Sequence, residues 1–232
     1  MKLISFWKDF LSLLYPRICV LCRRRLIGDE LHCCLFCQSS IPRTNYHAMQ
    51  VENAGALRLE GKIIFQQISS FLYYNKRGNG QKIVAEIKYY KNEKFGKYMG
   101  RLMAKEMQNS RFFDDIQGII PIPLHKKKLK IRGFNQAEAI AQGISEVTNI
   151  PLYTHSLFRQ VANTTQTRKS ALQRWMNTKD IFTLIPETDF SGKHLLLVDD
   201  VLTTGSTLEA CAHPFLKDRT IKVSILTLAI TE

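Results

Sequence analysis

The stretch that decides the fold reads HLLLVDDVLTTGSTLEAC, residues 194 to 211. Its apolar run, Leu195 to Val198, has the pattern of a strand buried on both faces of a parallel sheet. The run stops at two carboxylates, Asp199 and Asp200. Thr203-Thr204-Gly205-Ser206-Thr207 follows, and then a helical pattern beginning near Thr207. Gly205 permits a positive φ that turns successive N–H groups inward, and the helix N-terminus adds partial positive charge. With four hydroxyls around the same point, the segment reads as a pocket for one phosphate that needs no lysine. It matches neither G-x-x-x-x-G-K-[ST] nor G-x-G-x-x-G.

A phosphate pocket leaves the aspartates unexplained. Two carboxylates one sugar's length away suit a pair of vicinal hydroxyls, which donate hydrogen bonds to them. A 5-phosphorylated ribose meets both demands. The plainer alternative is an acidic pair solvated at a strand end beside an ordinary N-cap, and the combined strand, carboxylates and hydroxyl loop weigh against it.

Working outward, Ile63 to Tyr74 reads as a strand ending in a turn at 76–80. A helical pattern follows, with Gly96 expected to break it in two. GIIPIP, residues 118–123, is a short buried strand, and LHKKKLKIRGFNQ reads as a loop entering a helix at AEAIAQGISEVTN. A short strand is expected around Ile150 to Tyr153, a polar segment over 159–177, and a last buried strand over 222–230. Strands alternating with helices predict an α/β fold with a mostly parallel twisted sheet covered on both faces. Ligands bind beyond the carboxyl ends of such strands. Pro214 should kink or shorten the helix after the hydroxyl loop, while leaving its anion-binding first turn intact.

Five of the six cysteines fall between positions 19 and 37. Cys19 and Cys22 form one C-x2-C knuckle and Cys34 and Cys37 another, with eleven residues between. Two knuckles supply a tetrahedral four-sulfur zinc site with no open coordination position, hence a structural one. Cys33 competes with Cys34, and the paired C-x2-C spacing favours Cys34. Arg17, Arg23, Arg24 and Arg25 stand beside the knuckles, placed either to touch nucleic acid or to neutralise the thiolates.

The chain has 232 residues, 45% of them hydrophobic, enough for one large domain with a small attachment. Lys and Arg outnumber Asp and Glu 33 to 20, a net charge of +13 that favours polyanionic partners. No stretch approaches the ~20 apolar residues of a membrane span. Residues 1–16 carry Leu3, Phe6, Trp7, Phe10, Leu11 and Leu14 at helical spacing, closing at Pro16, without the form of a signal peptide. This predicts an amphipathic helix docked on the protein, with membrane-surface contact the weaker alternative. Three parts are expected: the helix over 1–16, a zinc ribbon over 17–45 and an α/β domain over 60–232. The absence of a leader or a span points to the cytoplasm.

LLLVDDVLTTGST resembles the phosphoribosyl pyrophosphate (PRPP) motif of type I phosphoribosyltransferases. The chain from about residue 10 to 230 is similar to the ComF family of competence-associated proteins. That similarity rests on the knuckles after YPRIC, on IKYYKNEKFG, PIPLHKKKLKIRGFNQ and the PRPP motif, and on Gln166, Arg174 and Asn177. The resemblance implies a PRPP-dependent phosphoribosyl transfer to an unidentified acceptor. Asp199 and Asp200 would hold the ribose hydroxyls as the catalytic pair, with Mg2+ bridging ribose and pyrophosphate. Thr203, Thr204, Gly205, Ser206 and Thr207 would cradle the 5-phosphate. Lys126, Lys127, Lys128 and Arg132 would lie near the pyrophosphate, although a solvated face explains that run equally well. A lid is implied over 163–177. The family also implies a place in DNA uptake, with single-stranded DNA and competence or DNA-processing proteins as partners. A non-catalytic DNA-handling role, with the PRPP pocket a sensor or relic, is the second reading.

Overall fold

The computed structural model describes residues 16–48, 53–159, 182–185 and 188–231. Apart from Pro16, the expected N-terminal helix lies outside the described residues, as does the expected lid. The described chain begins in a ribbon that ends in the short helix α1 (Leu35–Ser39), then runs through α2 (Ala54–Leu59), β1 (Ile68–Tyr74), α3 (Asn79–Lys88) and α4 (Glu93–Met107). It continues with β2 (Gly118–Pro121), α5 (Lys126–Arg132), α6 (Gln136–Thr148), β3 (Leu157–Arg159) and β4 (Phe182–Leu184). The last elements are β5 (His194–Leu202), α7 (Ser206–Leu216) and β6 (Lys222–Thr231).

Four strands form one sheet in the order β1-β6-β5-β2, every neighbouring pair parallel. Central β5 aligns Leu195 with Val223 and Asp199 with Thr227 on one side, and Leu196 with Ile119 and Val198 with Pro121 on the other. Its residues 194–198 are all buried, as a continuous apolar run requires. One apolar cluster joins Leu196, Val198, Leu226 and Leu228 to α3, α4 and α6, and also takes in Cys19, Leu21, Leu26 and Cys34 of the ribbon. A second joins Leu195, Leu197 and Ile225 to Leu59 of α2 and to Leu208 and Phe215 of α7. The fold is thus an α/β layered sheet with a small cysteine-bearing ribbon sharing one of its two cores.

Helices α4 and α6 meet backbone to backbone. A Cβ on Gly100 would stand 2.0 Å from the Ile140 carbonyl oxygen, and one on Gly143 would stand 2.1 Å from that of Lys97. Glu146 clamps the crossing, accepting from Lys97 at 2.6 Å and Arg101 at 2.8 Å.

Several local expectations shift. The strand expected from Ile63 starts at Ile68, because the amides of Lys62 and Ile63 bond back to the Leu59 carbonyl and turn the chain. Gly96 does not break the helical pattern; it is buried inside α4, where an added Cβ would come within 3.1 Å of Ala139. The break falls at 89–92 instead, where Lys91 has φ +55° and the Asn92 side chain accepts from the Phe95 amide. The expected loop after Pro123 contains helix α5. The His125 side chain caps its start, accepting from the Lys127 amide, and Gly133 at φ +86° ends it. Residues 150–153 contribute one parallel bridge, Leu152 to Ile119. Helix α7 runs through Pro214 to Leu216. The antiparallel pair β3–β4 carried no sequence signal, since strands of three residues show no periodicity.

Candidate functional site

All four sheet strands deliver residues to one cleft of about 350 Å3 at their carboxyl ends: Tyr74 closing β1, Ile122 after β2, Asp199 to Val201 in β5 and Thr231 in β6. This is the edge at which ligands bind in open parallel sheets. Lys88, Tyr89, Lys128, Arg132, Asn135, Gln136, Thr203 and Thr207 complete the wall.

Asp199 and Asp200 stand together in this cleft, each partly exposed. The Asp200 amide donates to Asp199 Oδ1 at 2.8 Å, which fixes one carboxylate beside the other. Burial, reinforced by the neighbouring Asp200 charge, pushes the Asp199 carboxyl up to about 7, against the pull of the Asp200 amide, Lys88 and Lys128. Asp200 is neutralised instead, with Lys88 Nζ 3.0 Å from Oδ1 and Arg132 Nη1 3.8 Å from Oδ2. Arg132 also donates to Gln136 Oε1 at 2.7 Å, so the guanidinium is held in place from α6. Lys88 ends α3, more than a hundred residues before the aspartate it meets.

The hydroxyl loop wraps the N-terminus of α7. Gly205 is the N-cap, with φ +81° and no side-chain cap, so the first amides of α7 face outward. Thr203, Thr204, Ser206 and Thr207 are exposed around it, with Thr204 Oγ1 3.1 Å from Ser206 Oγ. Beneath the loop, Arg58 Nη1 donates to the carbonyls of Leu202 (3.3 Å) and Thr203 (3.1 Å) and to Thr231 Oγ1 (2.8 Å). Lys62 Nζ donates to the Thr204 carbonyl at 3.0 Å. The loop's carbonyls are thus engaged by the half-buried Arg58 and the exposed Lys62, which leaves the N-terminus of α7 as the loop's donor side, the polarity an anion site needs.

Of the basic residues singled out in the sequence, Lys128 and Arg132 line the cleft and Lys126 and Lys127 do not. Lys126 Nζ stands 5.3 Å over the Phe158 ring, and Lys127 is exposed on the first turn of α5. Lys88, Arg58 and Lys62 were missed. Only the IKYYKNEKFG stretch carried a hint of Lys88, and nothing in sequence joins Arg58 to a loop over 140 residues away.

The sulfurs of Cys19, Cys22, Cys34 and Cys37 all lie within 4.8 Å of one another. Four thiolates at about 2.3 Å from a tetrahedral zinc ion would stand about 3.8 Å apart, so this donor set could hold a metal such as zinc. Cys33 is buried outside the group, and burial together with the neighbouring thiols pushes it up to about 12, a neutral thiol rather than a ligand. Cys34 moves the other way: against its burial, Arg24 and the Cys37 amide bring it down to about 6. Two of the knuckle arginines are engaged within the ribbon, and Arg23 stands 3.8 Å from Glu86 of α3. Arg24 pairs with buried Glu30 at 2.7 Å, and Arg17 donates to the carbonyls of Glu30 and Gly28. Among the described residues no helix is long and apolar enough to cross a membrane.

The chain matches the phosphoribosyl transferase domain over residues 129–230, which includes the whole hydroxyl loop and both aspartates. It is 30% identical over 152 residues to the DNA utilization protein YhgH of Escherichia coli O157:H7, covering 64% of this chain and 66% of that one, just under two thirds. It is 39% identical over 93 residues to competence protein F of Haemophilus influenzae, covering 40% and 41% of the two chains. It is 26% identical over 232 residues to competence protein ComFC of Bacillus subtilis, covering 94% of this chain and 87% of that one. With an all-parallel sheet, an aspartate pair ahead of an uncapped helix, a four-cysteine ribbon packed on the same body and a phosphoribosyl transferase domain match, the chain is similar to the ComF competence proteins.

Proposed function

We propose that the cleft binds PRPP and that the protein transfers its phosphoribosyl group to an acceptor. The observation that carries this reading is the order of groups along one strand end: a carboxylate pair, then an uncapped helix N-terminus ringed by hydroxyls, with Asp199, Asp200, Thr203 and Thr207 lining one cleft and Thr204, Gly205 and Ser206 beside it. Asp199 and Asp200 accept from the two ribose hydroxyls, and residues 203–207 hold the 5-phosphate. Lys88, Lys128 and Arg132 supply positive charge on the side where pyrophosphate would lie. The C1–oxygen bond to pyrophosphate breaks as a nitrogen lone pair of the acceptor forms the new bond, through an oxocarbenium-like state stabilised by the nearby carboxylates. Asp199 and Asp200 would be the cleft's carboxylates toward a Mg2+ ion bound with PRPP, which would supply charge neutralisation for the leaving pyrophosphate. A zinc ion on the four cysteines fixes the ribbon.

The names of the relatives, competence proteins and a DNA utilization protein, support a place for this activity in the uptake or use of DNA, inside the cell. The net charge of +13 supports single-stranded DNA as a partner, alongside DNA-processing proteins. The same charge favours the second reading, a DNA-handling protein that uses the cleft only to sense PRPP. Thermal denaturation with PRPP and Mg2+ tests binding. A rise in melting temperature that vanishes in Asp199→Ala/Asp200→Ala supports the site, and no rise in the wild type rejects it. Pyrophosphate release with candidate bases and single-stranded DNA as acceptors separates the enzyme from the sensor.

A further inference from the structure

The turn between α3 and α4 is built rigidly and yet displays two large rings to solvent. Tyr89 is 73% exposed and Tyr90 69% exposed. Among the described contacts, neither ring packs on another aromatic and neither hydroxyl finds a hydrogen-bond partner. The backbone beneath them is held by its own hydrogen bonds. The amides of Tyr89 and Tyr90 both bond to the Ala85 carbonyl, at 2.8 and 3.4 Å, and the Asn92 amide bonds to that of Glu86 at 3.4 Å. The Asn92 side chain joins buried Glu86 to the Phe95 amide, donating to one and accepting from the other. The rings therefore take no part in holding the turn, and the hydrogen-bonded backbone fixes where both are anchored.

Their position suggests the ligand. Tyr89 lines the cleft that contains Asp199 and Asp200, whereas Tyr90 lies outside it. A lone base held in the cleft reaches the first ring at most. A ligand that also meets the equally exposed second ring continues out of the cleft. The flanking residues are mostly charged: Lys91, Glu93 and Lys94 are all exposed, and so are Lys126, Lys127, Lys128 and Lys130 of α5, with Leu129 and Ile131 the exposed apolar residues among them. A protein partner would be met by a wider apolar surround. Aromatic rings interleaved with lysines at the mouth of a groove match the chemistry of a flexible polyanion with stackable faces.

We propose that Tyr89 and Tyr90 form a stacking platform for consecutive bases of a single-stranded polynucleotide whose backbone lies along Lys91, Lys94 and α5. The platform delivers one base to the mouth of the cleft and holds its neighbour outside. It rests on the sugar-phosphate reading of the cleft only for what lies beyond that mouth.

Fluorescence anisotropy with a labelled oligothymidylate at low salt, using the full chain, tests it. Tyr89→Ala and Tyr90→Ala should each weaken binding about tenfold, as the loss of one stacked base does. Tyr90→Phe should bind as the wild type. The salt slope should be unchanged in the tyrosine variants and shallower in Lys91→Ala/Lys94→Ala. Wild-type affinity in Tyr90→Ala, equal affinity for duplex of the same length, or no binding by the wild type would each overturn the platform. Melting with PRPP and Mg2+ is run on Tyr90→Ala in parallel. A retained PRPP shift beside failed stacking sinks the platform alone, and a missing shift in the wild type sinks the sugar site alone.

Discussion

Lys88, the last residue of α3, holds its Nζ 3.0 Å from Oδ1 of Asp200 at the end of β5. Both side chains are largely shielded, 17% and 16% exposed, so the attraction is stronger than that of a surface pair. The pair sets an opposite charge against Asp200 within the cleft. It also keeps two adjacent acids from presenting a full double negative charge to an incoming polyanion. Lys88→Met should therefore weaken PRPP binding at least about tenfold, about 1.4 kcal/mol. Isothermal titration with Mg2+ present checks it, and unchanged affinity would show that Lys88 serves the fold alone.

Asp199 supplies a pH dependence. Its carboxyl is raised to about 7 from 3.8, so between those values the folded state holds a proton that the unfolded state has lost. This contribution makes the unliganded protein less stable as pH rises from about 4 to about 7, and it levels off above. Asp199→Asn, which cannot ionise, should gain melting temperature relative to the wild type as pH rises through that window, and should lose the PRPP-induced shift. Parallel melting curves for the two proteins across the window would count against the raised carboxyl.

Gly205 is constrained twice. Its φ is +81°, and an added Cβ would stand 2.2 Å from Leu59 Cδ2 on α2. Gly205→Ala should destabilise by about 2 kcal/mol or more, through backbone strain and the displaced leucine. It should also lower phosphate affinity by moving the first amides of α7. Chemical denaturation measures the first effect and competition by ribose 5-phosphate the second.

The ribbon and the sheet share a core, so metal loss should not stay local. Strong chelation, or Cys34→Ala, should lower the melting temperature of the whole protein, because Cys34 is clustered with Phe95, Met99 and Met103. Cys33→Ala should retain one metal per chain by atomic absorption, since Cys33 stands outside the four-sulfur group. Loss of metal in Cys33→Ala but not in Cys34→Ala would reverse the ligand assignment.

Residues that act through local chain order could be read directly. The strand, carboxylate pair and hydroxyl loop of 194–207 are contiguous, and their chemistry follows from spacing alone. The two C-x2-C knuckles likewise place thiolates together by local geometry, whatever the remainder does. The sequence also determined the alternation of apolar runs and helices that makes a parallel sheet. It did not determine where that alternation pauses, because Gly96 serves close packing against α6 while Asn92 supplies the actual cap.

Only the tertiary structure decided what surrounds the motif. Lys88 meets Asp200, and Arg58 and Lys62 grip the carbonyls of the hydroxyl loop, because β1, β6, β5 and β2 end at one edge of the sheet. The same arrangement selects Lys128 and Arg132 from the basic run for the cleft and turns Lys126 toward Phe158. The physical reason is range. Hydrogen-bonded turns and helix caps act over a few residues, so sequence encodes them openly. An ion pair between distant segments depends on the packing of every layer between them.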